Sequence, residues 1–175
     1  MSSGVLEWFS RHFYPELKGD KLYEKMISDA MAVPPGSNGV TVDPNFYRDN
    51  HHKNAGSING ITLNTTRGEI YRAMLESLSF KLRDAMMTLE DAGGFTTDKI
   101  IVVGGGSKNR FWNQLRADIT GKPIQTIDQK ETTVLGAALF AMAGAGIFSS
   151  PDEARKSINY NPQLTEPSKD SKKYQ

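Results

Sequence analysis

Residues 100–118 read IIVVGGGSKNRFWNQLRAD. Four apolar, mostly β-branched residues run straight into Gly104, Gly105 and Gly106; Ser107 and Asn109 follow, then an amphipathic stretch. A strand that ends in bare backbone lets a flat or charged ligand come within van der Waals distance. The helix that follows adds free N–H groups and the positive end of a dipole. The plainer reading is a tight strand-to-helix turn. Three successive glycines exceed what a turn requires, because each loses more backbone freedom on folding than any other residue, and that excess favours a ligand. A dinucleotide fingerprint, G-x-G-x-x-G, accounts for Gly104 and Gly106, but Asn109 stands at its third glycine. Asp128, beyond the next strand, lies at a plausible distance for that motif's ribose acid.

Other reactive residue types are poorly arranged for chemistry. His51 and His52 are adjacent, without an acidic partner at metal-ligand spacing. The D-x-G within EDAGG, residues 90–94, ends a helix rather than turning a hairpin. There is no G-x-x-x-x-G-K-[ST] phosphate loop and no cysteine, which excludes a disulfide frame and a thiolate metal site.

The elements that position the glycines follow from periodicity. GVLEWFSRHF opens as a helix with Val5, Leu6, Trp8 and Phe9 near one side, and a second helix is expected over DKLYEKMISDAM with Asp20 as its cap. VPPGSNG, 33–39, breaks it; GVTVD reads as an edge strand, PNFYRDNHHKNAG as a loop, and SINGITLN, 57–64, as a second strand. The clearest helix follows. Thr66 and Glu69 have capping-box spacing, Ile70, Met74, Leu78, Leu82, Met86 and Leu89 form one stripe, and Gly93 and Gly94 stop it. KIIVVG reads as a central strand buried on both faces. The next helix, capped by Ser107, ends at Gly121 before Pro123; IQTI is a strand, and ETTVLGAALFAMAGAG a helix of small residues suited to close packing. Ser150, Pro151 and Glu153 start a last helix, and the tail from Asn161 reads as polar and loose. Alternating strands and helices in the second half argue for α/β layers, and there is no internal repeat.

The chain has 175 residues, a formal net charge of +1 and 38% apolar residues. That balance argues against nucleic acid or an anionic membrane as partners. The start lacks a signal-peptide pattern, and VLGAALFAMAGAGIF is too short and too rich in Gly and Ala for a membrane span.

Two stretches, VVGGGSKNRFWNQLRADITGKPI and ETTVLGAALFAMAGAGIF, resemble the C-terminal half of the FGGY carbohydrate kinases. GITLNTTRGEIYRAMLE matches that family's G-x-T-x-x-x-x-R-x-x-x-x-R-A-x-L-E segment, and SGVLEWFSRHF resembles its hinge-side segment; the likeness spans residues 3–158. FYPELKGD and GITLNTTRGEIYRAMLE are most similar to the members that convert L-fuculose to L-fuculose 1-phosphate. The resemblance implies an α/β fold of the ribonuclease H-like type shared with actin, hexokinase and heat-shock ATPases, with helices on a mixed sheet. Residues 1–160 would be one C-terminal nucleotide-binding domain and 161–175 a polar tail. It also implies ATP with Mg²⁺, a sugar acceptor and a cytoplasmic enzyme.

By the same resemblance, Gly105 and Gly106 floor the adenine or ribose and Gly104 allows the turn. Ser107 caps the helix and touches the nucleotide, and Asn109 reaches the base or ribose. Gly4, with Ser3, lies near the phosphates. Glu131 either orients the glycine loop or is a solvated acid, while Gly136, Ala137 and Ala138 pack. Arg67 and Arg72 either neutralise phosphate or form salt bridges. The family's D-x-G-T hairpin, catalytic Asp and most sugar contacts belong to its N-terminal domain, and none is present here. No catalytic or metal-binding residue is therefore expected in this chain, which is expected to be inactive alone and truncated at its N-terminal strands. A bare edge left by those strands favours self-association. The alternatives are a non-catalytic actin-like interaction module and an NAD-binding Rossmann domain.

Overall fold

The computed structural model describes residues 2–46, 55–127 and 132–175. In chain order these form α1 (Ser2–Phe13), α2 (Gly19–Met31), β1 (Thr41–Asp43), β2 (Ser57–Asn59), α3 (Arg67–Gly93) and β3 (Ile100–Val102). They continue with α4 (Arg110–Thr120), β4 (Ile124–Thr126), α5 (Thr132–Gly144), α6 (Pro151–Lys156) and β5 (Gln163–Thr165).

The spine is α3. Its predicted box is formed: Thr66 Oγ1 accepts from the Glu69 N–H at 3.3 Å, and Glu69 Oε2 accepts from the Thr66 N–H at 2.6 Å. Gly94 closes it in the left-handed conformation. Ile70, Met74 and Met86 of the expected stripe are buried, and Leu78 packs at the core margin, but Leu89 is exposed beyond the end of the core. α1 lays Val5 and Phe9 into the core, and Phe9 stacks on Tyr71 of α3 with ring centroids 5.5 Å apart. α2 adds Met26 and Ala30. Its cap differs from expectation: Lys18 holds the cap position without a side-chain bond, and Asp20 sits inside the first turn, where it complements the helix dipole.

β1 and β2 pair antiparallel, Val42 opposite Ile58. The second strand stops at Asn59, not at residue 64, because Thr65 Oγ1 accepts from the Thr62 N–H and Thr62 Oγ1 from the Asn64 N–H, turning the chain. The second sheet has the order β3-β4-β5, parallel between β3 and β4 and antiparallel between β4 and β5. Among the described residues β4 is therefore central, with Ile124 fully buried, and β3 is an edge. That corrects the expectation for KIIVVG: Ile101 is 56% and Val103 50% exposed. The small residues of α5 also behave differently. A Cβ at Gly136 would meet nothing within 4 Å, and Ala137 is exposed; α5 packs against α6 and buries Leu139.

The tail is not loose. β5 pairs with β4, and a 3₁₀ turn over Lys169–Lys173 delivers Tyr174 to the core. Asp118 of α4, itself buried, accepts from the Ser168 N–H at 2.6 Å and the Ser168 hydroxyl at 3.1 Å, while its carbonyl accepts from Ser171 at 2.8 Å. The Tyr174 hydroxyl donates to Glu76 Oε1 at 2.6 Å and accepts from Arg72 Nη2 at 2.9 Å. Polar composition hid this because the contacts are one-to-one hydrogen bonds to distant partners, which leave no periodic trace.

Tyr174→Phe removes one partner from each of two buried ions. The expected loss is about 1–3 kcal/mol, read as a lower urea midpoint with an unchanged slope. An unchanged midpoint would show that the Tyr174 hydroxyl adds nothing to stability.

Candidate functional site

β3 runs through Val103 into the three glycines, and each glycine has a different physical reason to be there. Gly104 has φ 84° and ψ −172°, a region closed to side chains. Gly106 has ordinary φ, but a Cβ there would sit 3.1 Å from Cζ3 of Trp112 and 3.4 Å from Nη2 of Arg116. Gly105 has neither cause: its φ is not positive, and among the described residues a Cβ would meet nothing within 4 Å. Internal sterics do not require glycine at that position.

The turn is held from inside. The Ser107 hydroxyl donates to the Gly104 carbonyl at 2.7 Å, and so does its N–H at 3.1 Å. Ser107 is therefore spent within a 3₁₀ turn over Gly105–Lys108 and does not cap α4. That cap is Asn109, whose Oδ1 accepts from the Trp112 N–H at 3.0 Å. The Tyr71 phenol of α3 has its pKa pushed up to about 12, chiefly by burial. With Ser107 expected as the cap, Asn109 would fall inside the helix; in the structure it precedes the helix and is its cap.

Three residues that sequence reasoning passed over complete the support. Asn113 Nδ2 donates to the Ser107 carbonyl at 2.7 Å. Arg116 Nη1 donates to Asn113 Oδ1 at 2.7 Å and lies 3.4 Å from the Gly106 carbonyl. Trp112, buried, donates through Nε1 to Ser79 of α3 at 3.2 Å, and the Arg116 guanidinium stacks over its ring at 3.6 Å. With Asn109 they follow helical spacing along one face, a signal that was available.

The remaining candidates do not gather here. Gly4 lines a separate cavity of about 200 Å³ with Val5, Trp8 and Phe46. A cavity of about 500 Å³ between β1, α3 and the tail is lined by Val42, Phe80, Lys81 and Tyr174 among others, and by none of residues 104–109. Arg67 pairs with Glu16 at 2.5 Å and lies over the Tyr14 ring; Arg72 pairs with Glu76 at 2.8 Å. Both arginines take the salt-bridge reading. Among the described residues no three His, Cys, Asp or Glu side chains gather as metal ligands. Asp128, Glu131, His51 and His52 lie outside the described residues. No helix among those described is long and apolar enough to cross a membrane.

Residues 1–145 match the FGGY family of carbohydrate kinases, C-terminal domain. L-Fuculokinase from Salmonella typhi is 43% identical over 161 residues, covering 91% of this chain and 32% of the relative. L-Fuculokinase from Escherichia coli (strain K12) is 41% identical over 160 residues, again covering 91% of this chain and 32% of the relative. Among solved structures, the xylulose kinase from Rhodospirillum rubrum superposes with a TM-score of 0.82 at 25% identity, over 98% of this chain and 35% of that one. The fold is that of a sugar-kinase half, mixed α/β as the sequence implied. This chain belongs to the FGGY carbohydrate kinase family and corresponds to its C-terminal domain. It spans about a third of the length of the curated relatives it matches.

The three glycines should differ in what their replacement costs. Gly104→Ala should lose about 1–3 kcal/mol through backbone strain, and Gly106→Ala a comparable amount by pushing on Trp112. Gly105→Ala should stay within about 0.5 kcal/mol. Urea denaturation of the three variants checks the order, and equal losses at all three would refute it.

Proposed function

We propose that this chain is the ATP-binding domain of a two-domain sugar kinase, its body being residues 1–160 with the C-terminal strap packed on it, and that L-fuculose is the acceptor. The carrying observation is Gly105, a glycine that neither φ nor packing demands, on an open surface directly after a strand. Contact with a purine or ribose explains the missing side chain. Gly104 sets the turn, Ser107 and Asn109 hold it, and Gly106 admits the Trp112–Arg116 support. The two L-fuculokinase relatives support the choice of sugar. Phosphoryl transfer needs a carboxylate to orient the acceptor and Mg²⁺ on the phosphates. In this reading both belong to the complete enzyme, where Mg²⁺ arrives with the triphosphate and the carboxylate comes from the other domain. Gly4 is read as a phosphate-side contact at the start of α1.

Calorimetric titration of the intact protein with ADP, ATP and NAD tests this reading. ADP and ATP should bind, NAD should not, and Gly105→Val should weaken ADP at least about tenfold, the scale of one lost close contact set, without lowering the urea midpoint. This chain alone should not phosphorylate L-fuculose; turnover by it would place the acceptor machinery inside residues 1–175.

A specific surface bears on partners. Among the described residues β3 has one unpaired edge, and Ile101 shares a sheet face with Leu164, 55% exposed. Val134, Phe140 and Ile147 are exposed on and just beyond α5. We read these faces as covered in the complete enzyme. The chain on its own should self-associate, and sedimentation showing a monomer at high concentration would count against that reading.

A further inference from the structure

Arg116 is a half-buried guanidinium that has no counter-charge among the described residues. Among the described residues its polar partners are Asn113 Oδ1 and the Gly106 carbonyl, and its remaining contact is the face of Trp112. Burial pulls its pKa down to about 10, so it stays charged at neutral pH and carries a desolvation cost that a leucine or methionine would not. The stack on the indole offsets part of that cost. A residue needed only to cover Trp112 would be apolar.

What the charge adds is control of the glycine turn. Arg116 holds Asn113 Oδ1, which orients the amide so that Nδ2 meets the Ser107 carbonyl at 2.7 Å. Its Nη1 also faces the Gly106 carbonyl. Two successive carbonyls of the turn are thus held on the α4 side. Trp112 fixes the base of this arrangement through Ser79, whose hydroxyl donates to the Leu75 carbonyl at 2.8 Å.

We propose that Arg116 is a positioning residue for the nucleotide: from beneath the turn it holds the carbonyls of Gly106 and Ser107, and so fixes the bare face of Gly104 and Gly105 against which the purine lies. This rests on the nucleotide reading above. A misplacement of about 1 Å in such a surface is enough to cost a large factor in function, so a clamp outside the contact surface has leverage on affinity.

Arg116→Met, which keeps the apolar stem and removes the donors, tests it in the intact protein beside Arg116→Lys and Gly105→Val. The readouts are ADP affinity by calorimetry and amide hydrogen exchange along residues 104–119. Arg116→Met should weaken ADP about tenfold, the effect of losing a charge-assisted hydrogen bond. Exchange at Gly105–Ser107 should speed up while the interior of α4 stays unchanged. Lysine should restore part of the affinity, since it keeps the charge and a donor but not the planar stack. In a complete enzyme the Michaelis constant for ATP should rise while kcat holds.

Wild-type ADP affinity in Arg116→Met, or exchange that accelerates equally along all of α4, overturns the proposal. If Gly105→Val weakens ADP and Arg116→Met does not, only the role of Arg116 fails. If neither variant weakens ADP, the nucleotide reading fails and takes the proposal with it. Should the methionine variant not fold, Arg116→Gln with the same readouts decides.

Discussion

Arg72 and Glu76 lie one turn apart on α3, each only 5% exposed. Ionised groups taken out of water carry a penalty of several kcal/mol each, which mutual attraction offsets only when the remaining donors and acceptors are met. Here they are met from far away in the chain. Arg72 Nη1 donates to the Val33 carbonyl, the Gly36 N–H and the Ser37 hydroxyl donate to Glu76, and Tyr174 bridges both ions. No buried side-chain nitrogen or oxygen among the described residues lacks a partner. The pair therefore acts as a condition on the fold: the break after α2 and the chain's last residues must close on α3 together, or two charges are stranded.

That condition reaches the glycine turn through α4. Asp118 anchors the tail segment that carries Tyr174, and Trp112 anchors α4 to Ser79, one turn along α3 from Leu75. Bare backbone binds a ligand well only if its position is set before the ligand arrives, because ordering it on binding subtracts from affinity. Here the side-chain hydrogen bonds that order the turn come from Ser107 and α4, and α4 is fixed by α3 and by the tail.

What the sequence disclosed was local. The capping box at Thr66 and Glu69, the stop at Gly94 and the Ser150-Pro151-Glu153 helix start can be read because both partners lie within a few residues. The glycine turn was legible for the same reason. Ser107 and Asn109 were harder to tell apart as caps: both are competent, and the choice depends on a 3₁₀ turn that consumes the serine. Edge or centre for β3 was not legible, since it depends on which strands lie alongside, and IIV reads the same in either place. Nor was the tail, whose order rests on Asp118 and on a bridge between residues 102 positions apart. Trp112, Asn113 and Arg116 had the right spacing, but an amphipathic helix offers that spacing on every face. Only the direction of the glycine turn shows which face matters.

The turn thus has unequal sides. Its C-terminal side is built into α4 by the hydrogen bonds of Ser107, Asn109, Asn113 and Arg116. Its N-terminal side hangs from Val103, half exposed, just past a strand that the described residues pair along one edge only. An edge strand frays more readily than a central one, since each residue it loosens gives up fewer hydrogen bonds and fewer contacts. Under the proposed reading, any strand that covers the free edge of β3 also steadies Gly104, which φ 84° already confines. Nucleotide affinity and completion of the sheet are then two consequences of the same ordering.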